Sequence, residues 1–533
     1  MERNSGKLGG PGPRWQGWNL RAVLVLGLVV SALLAGVSPA NAGQASTSPP
    51  ARTSSSADVK AVAKPSTQSY QLPPERYQKA VSLARKEYTL YFVAVAWGVM
   101  VLLALLQTGM VARLRDMAES ASPKRMVQAL IFVPGLMLLL AVLHLPISIY
   151  AHRLSLQYQQ SVQGWASWFW DWTKGELLSL GLGYIVALLL VSVIRWKPRT
   201  WWLYFWYAMV PLSLFLFFIS PWFLDPMFNR FTPLPYKHPE LVEAIGKLTQ
   251  RAGVPIPPDR MFLMEASAKT NEINAYVTGV GASKRVVVWD TTIQKTNPDE
   301  VLAVVGHELG HYVLGHTWKG FLFFTGGLVV GLYLAYRALQ WVLARWGKAW
   351  GVHGQEDWAA LAVLLLIFHV LEFVGTPIGN AFSRMQEHAA DVYGLEVTHG
   401  VLPNSQEVAA QSFQKMGDID LADPNPSKFI TFWLYSHPPL GERLEFAHNY
   451  DPWSKGESGK YVKSGWKAGD AVSGGDPAFV NHTTAEEGRH FVTIAARGHG
   501  TPAPAMRARV VVKEQPARWI GATADGRFVA FDK

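Results

Sequence analysis

Polar and apolar positions alternate on a long scale along this chain. Residues 1–21 are polar and carry Arg3, Lys7, Arg14 and Arg21; an apolar run follows at 22–39, then Ala40-Asn41-Ala42. A basic lead, an apolar middle and an A-x-A site predict a secretory signal peptide over 1–42, or a signal anchor if it is not cut. Residues 43–75 are rich in Ser, Thr, Pro and Ala. Such a stretch buries too little apolar surface to offset its chain entropy, so a disordered linker is expected. Six further runs, at about 89–112, 127–151, 176–194, 201–223, 320–342 and 358–381, are each long enough to cross a bilayer, which takes about 20 apolar residues. Trp201, Trp202, Trp222, Trp318 and Trp358 stand at run ends, the depth at which aromatic belts form.

The period changes between the fourth and fifth of these runs. Arg260–Met264, Ile273–Thr278 and Arg285–Trp289 are short, β-branched or aromatic stretches bounded by Gly and Lys, which predicts strands. Asn297, Pro298 and Glu300 then form the signature of a capped helix start, with the helix expected to run to about His316. Residues 382–450 are polar with a helical pattern. A Gly/Ser/Lys-rich linker at 451–475 leads to a small tail, 476–533. The runs Ala508–Lys513 and Arg527–Phe531 make that tail β-rich.

Composition narrows the class. Of 533 residues 49% are hydrophobic and only 17% are charged, against about 25% charged in soluble domains. The chain has no cysteine, which excludes disulfides, thiolate metal sites and a cysteine nucleophile. The net charge of +10 comes from Lys and Arg gathered at the ends of apolar runs. That placement suits a lipid bilayer rather than nucleic acid.

The helix after Asn297 contains His307-Glu308-Leu309-Gly310-His311. Histidines at i and i+4 share one helix face, so two imidazole nitrogens can reach one zinc ion. Glu308 projects beside them, where a carboxylate can take a proton from water and pass it to a leaving amine. Chance yields the H-E-x-x-H pattern roughly 0.02 times in a chain like this one, so the metallopeptidase reading outweighs a merely structural helix. A third ligand is needed. His316, five residues on, would be turned away on a continuous helix and suits a polar role at the helix end. His369 and Glu372 lie within the last apolar run; ionisable groups there are functional candidates but show no partner pattern. Glu387 fits best. Asp391, one turn later on the same face, can accept the free N–H of a ligating histidine, and Ala390 and Gly394 keep that face small. The expected fold is an α-helical multi-pass membrane protein with membrane helices in 76–223 and 317–381. Inserted between them is a zincin-like α/β catalytic domain, 224–316, built on the HExxH helix; 382–450 supplies the third-ligand helix and completes it.

These motifs, with Ser383-Arg384-x-x-Glu387-x-x-Ala390-Asp391 and Ser436-His437-Pro438-Pro439-Leu440-x-Glu442-Arg443-Leu444, resemble the integral-membrane CAAX prenyl proteases and their HtpX-like relatives. Phe228–Leu234, Asn274-Ala275-Tyr276 and Lys284–Val288 extend the resemblance over about 75–450. It implies one zinc per chain on His307, His311 and Glu387, with Glu308 as base and Asp391 behind the ligands. His437 would donate a hydrogen bond to the oxyanion or the substrate backbone, and Asn274 and Ala275 would lie on an edge strand that pairs with a peptide. It also implies a membrane-associated or prenylated CAAX-type peptide substrate, with quality control of membrane proteins as the alternative. A metal-binding transporter is a different reading. The polar setting of the HExxH helix, outside the bilayer middle where transport sites sit, speaks against it. An inactive scaffold is another, and the presence of every catalytic residue type speaks against that.

Charge in the short loops predicts sidedness. Arg113, Arg115, Lys124 and Arg125 lie between the first two spans after the linker, and Arg195, Lys197 and Arg199 between the third and fourth; the loop at 152–175 has only Arg153 and Lys174. Under the positive-inside rule the catalytic domain is exoplasmic, whereas the eukaryotic CAAX proteases imply a cytosolic site.

Overall fold

The computed structural model describes residues 70–279 and 283–462, and the backbone of four short strands between 483 and 531. The expected signal segment 1–42, linker residues 43–69 and the run Ala508–Lys513 lie outside the described residues.

The chain enters with α1 (Pro74–Gln107), α2 (Met110–Ala121), α3 (Arg125–Gln157), α4 (Trp165–Trp196) and α5 (Trp201–Phe228). Of these, α1, α3, α4 and α5 are long and apolar enough to span a membrane. Each of the four apolar runs falls mainly within one of them, but the helices are longer. α1 begins at Pro74, inside the stretch expected to be linker, because an apolar run marks only the lipid-facing part of a helix. Upstream of residue 89, Ala80, Leu83, Ala84, Glu87 and Tyr88 are buried at helical spacing, which hydropathy overlooks. At its other end α1 stops at Gln107, where Gly109 takes a left-handed φ of 68°, so 108–112 turn away into α2.

A small α/β domain follows, built from β1 (Phe231–Pro233), α6 (Pro239–Arg251), β2 (Met261–Met264), β3 (Ala275–Thr278), β4 (Arg285–Trp289), α7 (Asp290–Lys295) and α8 (Pro298–Val313). The sheet order is β1-β2-β4-β3, with β2 parallel to β4 and the outer pairs antiparallel. Val286, Val287 and Val288 of β4 are fully buried, as the apolar sequence of a central strand requires. β3 is an edge strand, and α8 packs against it. Two more helices of spanning length complete the membrane part, α9 (His316–Val342) and α10 (Ala360–Thr398). They are followed by α11 (Ser405–Asp420), α12 (Lys428–Leu434) and α13 (Leu440–Asn449).

The spanning helices pack as a ring: α1 on α3, then α4, α5, α9 and α10, which returns to α1. The end of the ring away from the α/β domain is filled by one apolar core that includes Leu102, Phe132, Leu140, Leu190, Met209, Leu332, Leu364 and Phe368. Trp201 and Trp358, expected at the lipid interface, are fully buried in this core. Trp358 donates Nε1–H to Gln128 Oε1 at 3.0 Å, so its polar atom is satisfied without an interface. Trp222 and Trp318 are exposed. Separately, residues 469–533 form their own unit, in which β5 (Thr483–Glu486) pairs with β6 (Arg489–Val492) and β7 (Trp519–Ala522) with β8 (Phe528–Phe531), both antiparallel.

Candidate active site and metal centre

α8 starts where its capping residues dictate. Asn297 Oδ1 accepts from Glu300 N and Glu300 Oε2 accepts from Asn297 N, both at 2.9 Å, and Lys415 on α11 donates to the Glu300 carboxylate. The first turn of the helix is thereby anchored on both sides. One turn from its end, His307 and His311 point to the same side, with their Nε2 atoms 3.0 Å apart.

The third member of the cluster comes from α10. This helix was expected as a span ending near 381 and a separate polar helix. It is one unbroken helix of 39 residues that leaves the membrane region and carries Glu387 to the histidines. Glycines let the two helices meet. A Cβ on Gly394 would lie 3.0 Å from His307 N, and one on Gly310 would lie 3.1 Å from Ala390 Cα. Glu387 is completely buried. Its Oε2 lies 3.2 Å from His307 Nε2 and its Oε1 3.5 Å from His311 Nε2. Arg384 does not pair with it; that guanidinium donates to the carbonyls of Thr431 and Tyr435.

The cluster fits a metal. Only imidazole nitrogens, those of His307, His311 and His437, come within ion-pair distance of the Glu387 oxygens among the described residues, and none makes a well-aligned hydrogen bond to them; neutral rings leave a buried carboxylate in need of a cation. Ligand atoms at 2.0–2.1 Å from a tetrahedral zinc stand about 3.3–3.4 Å from each other. Here the two Nε2 atoms stand 3.0 Å apart, and the Glu387 carboxylate turns Oε2 to His307 Nε2 at 3.2 Å and Oε1 to His311 Nε2 at 3.5 Å.

A second layer of side chains orients the first. His307 Nδ1 lies 2.8 Å from Asp391 Oδ1, and buried Arg443 of α13 grips the Asp391 carboxylate through Nε at 2.9 Å and Nη2 at 2.6 Å. Burial opposes charge on His307, but Asp391 and then Glu387 outweigh it and push its pKa up to about 9. His316 Nδ1 lies 3.1 Å from His311 Nδ1. It was expected to turn away. The expectation assumed one helix through residue 316, whereas α8 ends at Val313, Gly315 takes φ +67°, and His316 begins α9. The glycine was the available signal, since a left-handed residue just past a helix end resets the direction of the chain. Arg443 stood inside a quoted motif, but no spacing along the chain pairs it with Asp391.

Glu308 is partly exposed. Burial raises its carboxyl above the ordinary range, against the pull of His311 and His307. His437 Nε2 lies 3.2 Å from Glu387 Oε2 and its Nδ1 2.9 Å from Ser436 Oγ; burial lowers its pKa, which keeps the ring neutral. Asn274 and Ala275 are buried at the start of β3. The Asn274 carbonyl accepts from Trp289 N and Thr292 Oγ1. His388 is exposed and packs on Phe446, and His369 reaches the Val95 carbonyl; neither joins the cluster.

A ring of spanning helices with an HExxH helix and a distant glutamate at its mouth defines a multi-pass membrane metalloprotease. Residues 58–230 match the family model described as CAAX prenyl protease N-terminal, five membrane helices, and residues 235–451 match Peptidase family M48. Within the first match, the described residues hold four long apolar helices. The chain is 36% identical to the uncharacterized metalloprotease YhfN of Bacillus subtilis, over 71% of this chain and 88% of that one. It is 31% identical to a CAAX prenyl protease 1 homolog of Oryza sativa, over 60% of this chain and 73% of that one. The crystal structure of S. mikatae Ste24p shares the fold, with a TM-score of 0.60 at 23% identity over 71% of this chain and 89% of that one. The chain belongs to the CAAX prenyl protease family of M48 metallopeptidases.

Proposed function

We propose that this protein is a zinc endopeptidase acting on membrane-associated peptides, with His307, His311 and Glu387 holding one zinc ion. The observation that carries this is the buried Glu387 carboxylate facing two imidazoles at ligand spacing. When bound, zinc supplies the Lewis acidity that polarises a scissile carbonyl and acidifies the attacking water. The remaining work falls to the chain. Glu308 accepts the proton of that water and delivers it to the leaving amine; its raised pKa suits both halves of that exchange. Neutral His437, with Ser436 at Nδ1, presents Nε2–H to the developing oxyanion. Asp391, held by Arg443, and His316 fix the two metal-side rings. β3, an edge strand beside α8, offers its outer backbone from Ala275 onward to an extended peptide, while Asn274, whose own N–H and carbonyl are bound inside the domain, anchors the start of the strand.

The proteins named CAAX prenyl protease 1 homolog favour a prenylated CAAX-type substrate, and the same site would serve quality control of membrane proteins. The basic short loops favour an exoplasmic catalytic domain. Glu308→Gln tests the chemistry. The purified variant is expected to retain zinc and lose peptide hydrolysis by at least about a hundredfold, the lower end of a general base's contribution. Normal turnover by the variant would sink the mechanism.

A further inference from the structure

α10 carries an ionisable group that hydrolysis does not use. Glu372 lies in its membrane-spanning part, fifteen residues before Glu387, and is exposed. It has no ion pair and no side-chain hydrogen bond among the described residues; its charge is felt by buried Tyr91 of α1, and its backbone carbonyl accepts from Thr376 Oγ1.

Its direction follows from the neighbours of α10. At about 100° per residue, Phe373 and His369 define one flank. There Phe373 meets Phe92 and His369 reaches Val95, both on α1. The opposite flank is set by Phe382, which stacks on Phe323 of α9 at 4.0 Å. Between these flanks on one side lie Val370, Val374, Ile378 and Met385, 44–65% exposed and wholly apolar, as a lipid-facing stripe must be. Glu372 and Gly379 are exposed on the other side, roughly 145° from the middle of that stripe. A charged group exposed on a spanning helix and turned away from lipid faces the interior of the bundle or a water-filled cavity. The fully buried core of the ring ends on α10 at Phe368, with Leu371 partly buried against it, so Glu372 stands one turn beyond the last fully buried residue of that core, on the side of the catalytic cluster. On the helix wheel it is only about 60° from Glu387.

Resting on the protease reading above, we infer that Glu372 is a specificity-determining residue that receives a cationic side chain, Lys or Arg, of the bound peptide. Fifteen residues of helix rise about 22 Å, and an extended peptide covers that distance in about six or seven residues. The favoured cation is therefore six or seven residues from the scissile bond.

The test uses the zinc-loaded full chain and neutral peptides in which a single Arg is walked along either side of the cleaved bond. With the wild type, KM is expected to fall about tenfold when Arg sits six or seven residues away, the size of one charge-assisted contact. Glu372→Gln is expected to abolish that preference and leave turnover of the all-neutral peptide unchanged. Glu372→Lys is expected to reverse it, favouring Glu at the same position. A preference that survives in Glu372→Gln, the absence of any Arg position that alters KM, or an equal fall in kcat for all peptides would each overturn the inference. If the wild type cleaves none of them, the protease reading fails first. Fluorescence anisotropy of the same labelled peptides then decides the cation site, because equal affinity of wild type and Glu372→Gln for the Arg peptides overturns it.

Discussion

At the residue scale the site depends on a few buried groups whose partners lie far apart in the chain. Glu387 is buried with only imidazole nitrogens within ion-pair distance, so Glu387→Ala should remove a proposed ligand and leave purified protein largely zinc-free. Asp391→Ala leaves the three proposed ligands in place and should weaken zinc by about 10–100-fold. Zinc titration of both variants checks the ranking, and wild-type affinity in Glu387→Ala would mean another residue completes the centre. A pH dependence follows from His307. In the metal-free protein its pKa stands at about 9, so below that pH the ring holds a proton that zinc must displace. Apparent zinc affinity should then rise with pH, by about tenfold per unit between pH 7 and 9, and level off above. Competition with a chelator of known pH behaviour measures it; a flat response from pH 7 to 9 would show that the His307 proton is not linked to binding.

At the element scale the deciding feature is the close contact of α8 and α10. Ala is favoured over Gly inside a helix by about 1 kcal/mol, so Gly394→Ala should stabilise the protein if only α10 mattered. The added Cβ would lie 3.0 Å from His307 N and 3.1 Å from His307 Cα, and those backbone atoms cannot rotate aside. A net destabilisation of about 1–2 kcal/mol, with weaker zinc binding because His307 moves, is therefore expected. Thermal unfolding with and without zinc measures both, and a stabilised variant with normal zinc affinity would show that the helices have room to spare. The strands β2, β3 and β4, and the capped start of α8, are legible in the sequence because each depends on near neighbours: a short apolar, β-branched or aromatic run, or an Asn and a Glu three positions apart. The union of the last span with the Glu387 helix is not legible. A hydropathy pattern ends where the lipid ends, while the backbone continues helical through Pro377 to Thr398.

At the scale of the whole molecule, the proposed exoplasmic catalytic domain rests on loop charge. Single cysteines introduced at Lys124 and Lys247 of this cysteine-free chain give the measurement, since Lys124 is exposed in the loop before α3 and Lys247 is 67% exposed on α6. In intact cells a membrane-impermeant thiol reagent should reach Lys247→Cys and not Lys124→Cys; the reverse pattern places the catalytic domain in the cytosol.

The sequence by itself determined that the chain crosses a membrane repeatedly, that a polar α/β domain interrupts the spans, and that His307, Glu308 and His311 share one helix face. Each of these is a local property, read from run length, strand period or i,i+4 spacing. Tertiary structure alone decided which acidic and basic groups surround that face. Arg443 meets Asp391 across 52 positions, His316 returns to His311 only because Gly315 breaks the helix, and Glu372 turns inward because α1 and α9 occupy the flanks of α10. The physical reason is the same in each case. Helical periodicity defines directions within one element, whereas contacts between elements are set by where the chain breaks and by which small residues let two backbones approach.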